Sequence, residues 1–471
     1  MYHRVFSGAG VGERCYCAVF GANPELGSNG WPHLGYRRVL FVVVPRSGSE
    51  KQDSTPWSAD ARGLRDTWSM RILHTSDWHI GRTLHGQDLS DSVDAFFSWL
   101  LQLVEARSIE LVLISGDLFD RAVPPLNALA RTSKMLEELS AKARVIITSG
   151  NHDSATRLGL FSPMLDQRLV VTTGVDTIGT AVEHGGPGGC LIYPIPYLEP
   201  DLVRQELSDL APLDSGLPAP LPRSHEAVVA AALRRVRTDL ELRRESGDQR
   251  PAIIMLHEFL TGGAPSDSER VIEVGGVGCV PAAVLDTLGG EEQIDLGVVY
   301  AALGHLHRPQ SISGARMPLR YSGSPIAYSF SEAGVDKSVV LLDVHGDSCE
   351  IELVPIPVHR PLALLRGTME DLLADPDPAL VNAYCSISVT DDARPQQMVS
   401  RIREVYPHAL VILHESAIRS SIPSGAPGVR SRAPQEVTLE FFEAVGGREL
   451  DAREVQIVSD VWTDMRKEGL Q

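Results

Sequence analysis

The chain has 471 residues, 43% of them hydrophobic, and a formal net charge of -18 from 43 basic and 61 acidic residues. Such a length implies two or more domains, and such an apolar share supplies a large core, which excludes wholesale disorder. The acidity argues against a generic nucleic-acid coat protein, whose surface would be basic, but not against an enzyme whose metal ions carry local positive charge. Six scattered cysteines, of which only Cys15 and Cys17 lie close together, read as reduced thiols in a cytosolic chain. No apolar run reaches the roughly 18 residues of a membrane span.

Residues 1–69 are rich in Gly, Ser, Pro and Trp and carry few paired strand or helix patterns. They read as a disordered extension or as a start placed too early, with Met70 the true initiator; the second reading is preferred. From Met70 onward strands and helices alternate. "RILHT" is a strand, and "DSVDAFFSWLLQLVEARS" is an amphipathic helix with Val93, Phe97, Leu100, Leu101 and Val104 on one stripe. "IELVLISGD" is a buried strand, "LNALARTSKMLEELSAKA" a helix and "RVIITSGN" a strand, which makes a βαβαβ pattern and a parallel or mixed sheet. "SHEAVVAAALRRVRTDLELRRE" is a long helix. From about His345 to Arg419 a smaller unit repeats the pattern, with "LALLRGT", "NAYCSISVTD" and "ALVILHE" as strands and "QQMVSRIREVY" as a helix. A Ser/Pro/Gly linker follows, then two helical patterns. The second opens on Asp451 with Glu454 three residues on, a capping-box start, and carries Val455, Val458, Trp462 and Met465 as a stripe. The first carries Val437, Phe441 and Val445 on a similar stripe.

Five apolar runs end in polar groups that have no reason to sit together in a turn. They deliver Asp77 and His79; Asp117, with Asp120 just beyond; Asn151, His152 and Asp153; His257; and His305 and His307. In open α/β sheets, sites form outside the carboxyl ends of strands, so residues far apart in sequence converge on one rim. Asp77, His79, Asp117, Asn151, His257, His305 and His307 offer oxygen and imidazole nitrogen without thiolate. That set suits Mn²⁺, Fe or Zn²⁺, and Mg²⁺ less well. Seven ligands are too many for one ion with an open position and suit two ions bridged by one carboxylate, roughly 3.5–4 Å apart. Each group alone has an ordinary explanation: Asp117 as a helix N-cap, Asn151 as a turn residue, a lone His as a hydrogen-bonded surface group. Those explanations would have to hold at five strand ends together. His74, inside its strand, reads as a packed core histidine.

The motifs "DWH", "GDLFD", "GNHD", "LH" and "GHLH" resemble the successive motifs of the calcineurin-like metallophosphoesterases. "MRILHTSDWHIGRTLHG", "GDLFDRAVPP", "GHLHRPQ" and "YSGSPIAYSFSE" resemble more closely the SbcD group, nuclease subunits of bacterial SbcCD complexes. The likeness is strong over residues 70–345 and weak over 346–419. It implies an α/β fold: a metallophosphoesterase β-sandwich flanked by helices over 70–345 and a small α/β capping domain over 346–419; composition gives the linker over 420–434, and the apolar stripes beyond it make 435–471 a helical partner-binding segment, with folding back on the capping domain as the other reading. It implies that Asp77, His79 and His307 hold one divalent ion, that Asn151, His257 and His305 hold the other, and that Asp117 bridges them. Manganese is the expected metal, with magnesium possible. His152 would face the scissile phosphate, with Asp153 orienting it, and Arg82, Arg157 and Arg308 are candidates for phosphate contact.

The implied activity is metal-assisted hydrolysis of DNA phosphodiesters, as a double-strand exonuclease and a single-strand or hairpin endonuclease. The implied partners are DNA, an SbcC-type coiled-coil ATPase and a second copy of the chain, in the cytoplasm and away from membranes. Two departures stand out: Leu256 occupies a position usually small in relatives, and Asp120 stands where archaeal and eukaryotic relatives often carry a second active-site His. A small-molecule or cyclic-nucleotide phosphodiesterase is the nearest competing reading; a non-catalytic scaffold with a relic site is the other, although none of the ligands is lost.

Overall fold

The computed structural model describes residues 70–209, 218–269, 278–415, 434–446, 448 and 450–467. The expectations for residues 1–69, and for the linker up to residue 433, lie outside that set.

Successive residues of a strand face opposite sides, and in the first core strand, Met70–Thr75, both sides are covered. Ile72 packs with Leu111, Leu113, Met255 and Tyr300, while its neighbour Leu73 packs with Phe97, Leu100 and Val112. This double burial explains why these strands read as unbroken apolar runs. Two six-stranded sheets result. The first runs in the order Ser348–Pro355, Ser338–His345, Met70–Thr75, Leu111–Ser115, Arg144–Thr148 and Leu169–Thr172, the last four parallel. The second runs Gln310–Ile312, Leu319–Tyr321, Val298–Gly304, Ala252–His257, Cys190–Ile195 and Val182–His184.

One apolar layer drawn from both sheets lies between them. Helices Ser90–Ala106 and Leu126–Ser140 pack on the other side of the first sheet. Helix His225–Glu245, whose Ser224 cap accepts from the Ala227 N–H at 3.2 Å, packs on the other side of the second. This is the helix-flanked sandwich expected from the sequence. His74 is the expected core histidine: fully buried, its Nδ1 lies 3.1 Å from the Tyr300 hydroxyl, and burial lowers its pKa to about 3, so it stays neutral.

The expected boundary at residue 345 falls inside a hairpin and moves. Ser338–His345 pairs along its whole length with Ser348–Pro355, so the first sheet continues to Pro355. The small unit begins at Leu362 as a parallel three-stranded sheet of Leu362–Gly367, Tyr384–Val389 and Ala409–His414, packed on helix Met398–Val405. It also contains a helix absent from the sequence reading, Met369–Ala374, whose signal was present: Thr368 and Asp371 form a reciprocal capping box.

The chain closes on helices Pro434–Gly446 and Ala452–Lys467. The capping box at the second start forms as expected, with Glu454 N–H on Asp451 Oδ1 at 2.9 Å and Asp451 N–H on Glu454 Oε2 at 3.0 Å. The stripe is partly covered, as far as it is described; the side chains of Val445 and Met465 lie outside the described set. Val455, Val458 and Trp462 are half-buried, and Trp462 Nε1 donates to Thr438 Oγ1 of the other helix at 3.1 Å, so the two helices pair with each other. Phe441, Phe442, Ile457 and Val461 are the large apolar residues left exposed. No helix among the described residues is long and apolar enough to cross a membrane.

Candidate metal centre

All five apolar runs end on one rim, three in the first sheet and two in the second. The chain leaves each strand through tight backbone. Asp77, His79, Asp117 and His305 all have positive φ (55°, 43°, 50° and 114°), a region that side-chain-bearing residues seldom adopt. Strain of this kind gathers where surrounding structure overrides local preference, commonly at functional sites. The glycine before Asp117 is required for space: a Cβ on Gly116 would lie 2.2 Å from His257 Nδ1. A Cβ on Gly150, before Asn151, would lie 2.2 Å from Asp117 Oδ1.

The seven expected ligands do come together. His79 Nε2 lies 2.9 Å from His307 Nε2, and ligand atoms of Asp77, His79 and His307 form one compact group. His257 Nε2 lies 3.0 Å from Asn151 Oδ1, and His305 Nδ1 lies 3.2 Å from the same oxygen. Between the groups sits Asp117, whose Oδ2 is 3.5 Å from both His79 Nε2 and His257 Nε2. Asp77, His79, Asp117, His257, His305 and His307 are each under 5% exposed. Carboxylate and amide oxygens and imidazole nitrogens converging in a buried space fit bound cations.

The electrostatics agree with that fit. Burial pushes the Asp77 carboxyl up to about 7, with Asp117 adding repulsion against attraction from His257. Burial would also raise Asp117, but the charge of His257 and a hydrogen bond to it hold its carboxyl well below the usual range. Burial opposes charge on His257, yet Asp117 carries it up to about 10. Burial holds His79, His305 and His307 well below the usual imidazole value, so they stay neutral. Asp117 and His257 thus attract each other among neutral imidazoles, and a cation bound here competes with the proton on His257.

His152 stands beside this group. Its ring is edge-on to His79 at 4.7 Å, and its backbone N–H donates to Asp117 Oδ1 at 2.8 Å. Its Nδ1 lies 2.7 Å from the carbonyl of Asp120. A carbonyl only accepts, so Nδ1 carries a proton and Nε2 remains for chemistry.

Residues 70–309 match the family model described as calcineurin-like phosphoesterase. Residues 358–445 match a model described as the type 5 capsule protein repressor C-terminal domain. The SbcD component of the SbcCD nuclease of Bacillus subtilis strain 168 is 35% identical over 307 residues, covering 62% of this chain and 71% of that protein. The chain belongs to the SbcD family of calcineurin-like phosphoesterases. The same component in Rhodobacter capsulatus is 31% identical over 80% of this chain and 93% of its own length; that of Escherichia coli K12 is 30% identical over 65% and 73%.

Within this SbcD-family fold the structure corrects one role. Asp153 does not orient His152. Its carboxylate accepts the backbone N–H groups of Leu118, Phe119 and Gly150 at 3.0–3.1 Å and so ties the loops after two strands together. The orienting acceptor is the Asp120 carbonyl, a backbone atom invisible to side-chain reasoning. The Asp120 carboxylate lies 3.6 Å from Arg82 Nε and 4.0 Å from His79 Nδ1.

The three arginines separate. Arg82 reaches the site, its guanidinium 5.1 Å above the Tyr328 ring. Arg157 donates to the Ala122 carbonyl at 2.9 Å and braces a loop. Arg308 follows His307 and is partly buried.

A further pair went unread in the sequence: His225 Nδ1 lies 3.0 Å from Glu258 Oε2, both buried, and the Tyr197 ring sits between His225 and His257, at 5.7 and 6.3 Å. The signal was an acid directly after His257 at the end of a buried strand. Leu256, the other departure noted above, is fully buried in the apolar layer outside the second sheet and packs without displacing His257.

Proposed function

We propose that this SbcD-like, metal-dependent nuclease subunit hydrolyses DNA phosphodiesters at a two-metal centre, cutting double-stranded ends and single-stranded or hairpin DNA. The observation that carries the reading is Asp117 Oδ2, equidistant at 3.5 Å from an imidazole of each ligand group. That is the place a bridging carboxylate takes between two ions. Asp77, His79 and His307 would hold one ion, and Asn151, His257 and His305 the other. Oxygen and imidazole donors without thiolate favour Mn²⁺ over softer-ligand metals. When bound, such ions polarise phosphate oxygens and activate water. The chain's own part is to hold the centre rigid, to offer His152 Nε2 to the departing oxygen, and to present Arg82 to phosphate.

The partner is an SbcC-type ATPase, and the paired C-terminal helices offer it Phe441, Phe442, Ile457 and Val461. The chain works on DNA in the cytoplasm, in keeping with a long sequence that carries only six scattered cysteines.

A second copy of the chain completes the assembly. Val123, Leu126, Leu160, Phe161 and Met164 are each more than 60% exposed, and the two segments carrying them are joined by the Arg157–Ala122 bond. An apolar patch of this kind marks an interaction surface. Leu126→Asp with Phe161→Asp is expected to turn a dimer into a monomer in analytical ultracentrifugation while leaving Mn²⁺ uptake intact. A monomeric parent chain would refute the assignment.

The activity is tested with hairpin DNA and a small chromogenic phosphodiester side by side, with Mn²⁺ and with chelator. Cleavage of the hairpin that stops on chelation is expected. Turnover of the small ester without cleavage of DNA would favour a small-molecule phosphodiesterase.

A further inference from the structure

The stretch "YSGSPIAYSFSE", Tyr321–Glu332, supplies none of the expected ligands, yet it runs behind four of them. Tyr321 donates its hydroxyl to the Glu258 carbonyl at 2.7 Å and accepts from the Leu260 N–H at 2.8 Å, fixing the chain just past His257. Ser322 Oγ lies 2.8 Å from Ser76 Oγ, which donates to Asp77 Oδ2 at 2.5 Å. The Tyr328 hydroxyl donates to the carbonyl of Trp78, the residue between Asp77 and His79. Its ring is edge-on to His79 at 5.5 Å and to His307 at 5.7 Å. Glu332 reaches His307 through one intermediate, Ser268.

The proton positions along that last link follow from donor and acceptor chemistry. Lys337 Nζ donates to Glu332 Oε2, to Ser324 Oγ at 3.0 Å and to the His307 carbonyl at 2.8 Å. Glu332, paired with that ammonium, is a carboxylate and only accepts. Ser268 Oγ, 2.6 Å from Glu332 Oε1, therefore donates its hydrogen there. The neighbouring Ser266 hydroxyl, 2.7 Å from Ser268 Oγ, has its own acceptor in Glu269 Oε2 at 2.8 Å. With its hydrogen so committed, Ser268 Oγ accepts from His307 Nδ1 at 2.6 Å. The His307 proton is thus on Nδ1, and the Nε2 lone pair faces the ligand group. The His307 N–H is held as well, by Glu269 Oε1 at 2.7 Å. A buried ion pair alone would only report tight packing; this pair ends on His307 twice, at its carbonyl through Lys337 and at its ring through Ser268.

We propose that Tyr321–Glu332 is the positioning element of the centre, and that Glu332, acting through Ser268, sets the tautomer and ring orientation of His307. The proposal rests on the two-metal reading above. Outer partners of this type change metal affinity by about 10–100-fold. Ser268→Ala removes one hydroxyl and leaves the Glu332–Lys337 pair in place. Calorimetric titration of the metal-free full chain with Mn²⁺ is expected to show two binding steps for the parent. In Ser268→Ala one step weakens by about 10–100-fold, the other changes little, and the metal-free melting temperature is unaltered. Ser268→Thr, which keeps the hydroxyl, restores the weakened step. Two parent-like steps in Ser268→Ala would overturn the proposal. So would equal weakening of both steps together with a lower metal-free melting temperature, which marks a merely structural role. A parent chain that takes up fewer than two ions would instead overturn the two-metal reading, and the proposal with it.

Discussion

Asp117→Ala is expected to strip the chain of both metal ions and reduce DNA cleavage to background. One carboxylate oxygen faces an imidazole from each ligand group at 3.5 Å, so its removal damages both positions at once. The loss also changes the protonation of the site. Against burial, the Asp117 charge, with Asp77 and the Ser115 carbonyl adding to it, carries the His257 pKa up to about 10; without Asp117 that pKa falls. The variant therefore keeps a single carboxylate among the ligands, Asp77, to offset two cations. Metal analysis of the purified variant, with circular dichroism to show that it folds, decides the matter. Retention of one full equivalent would mean that Asp117 serves a single ion.

His152→Ala is expected to keep both ions and lose cleavage. The Asp120 carbonyl holds its Nδ1 at 2.7 Å, and its backbone, not its ring, contacts Asp117. A positioned general acid contributes about 10²–10⁴-fold, so kcat falls by that range while KM for DNA changes little. Metal loss equal to that of Asp117→Ala would place His152 among the ligands and sink the assignment.

Much of the centre could be read from the sequence because its ligands sit at the ends of buried strands. A buried run that stops on Asp, Asn or His leaves a polar group at the rim, and the sheet's topology gathers such groups without further instruction. The same reasoning failed where the partner is a backbone atom or a loop residue. Asp153 looked like the orienter of His152 because it is adjacent in sequence, but adjacent residues in a tight loop point apart, and its carboxylate found three N–H groups instead. Ser268 and Glu332 could not be placed, since nothing in a serine or a glutamate announces which histidine it will meet. The small unit's boundary was set too early because Ser348–Pro355, an edge strand of mixed polarity, resembles neither a buried run nor a loop. The C-terminal stripe is apolar, but two amphipathic helices close together in sequence cover each other first, and the sequence pattern does not say which partner an apolar face will choose.

Asp77 and His305 meet across 228 residues of chain, as do His79 and His307. Contacts of such separation form late, after loop closure over long distances. A ribosome adding about 5–20 residues per second needs roughly ten to fifty seconds to travel from one end of that span to the other. During that interval the nascent chain acquires "GDLFD" and "GNHD" after "DWH" but still lacks His305 and His307. On the two-metal reading, a product that ends before His305 lacks two of the seven ligands and is expected not to cut DNA. On that reading, the order of the motifs along the chain withholds a complete centre until the second sheet has been made and has closed on the first.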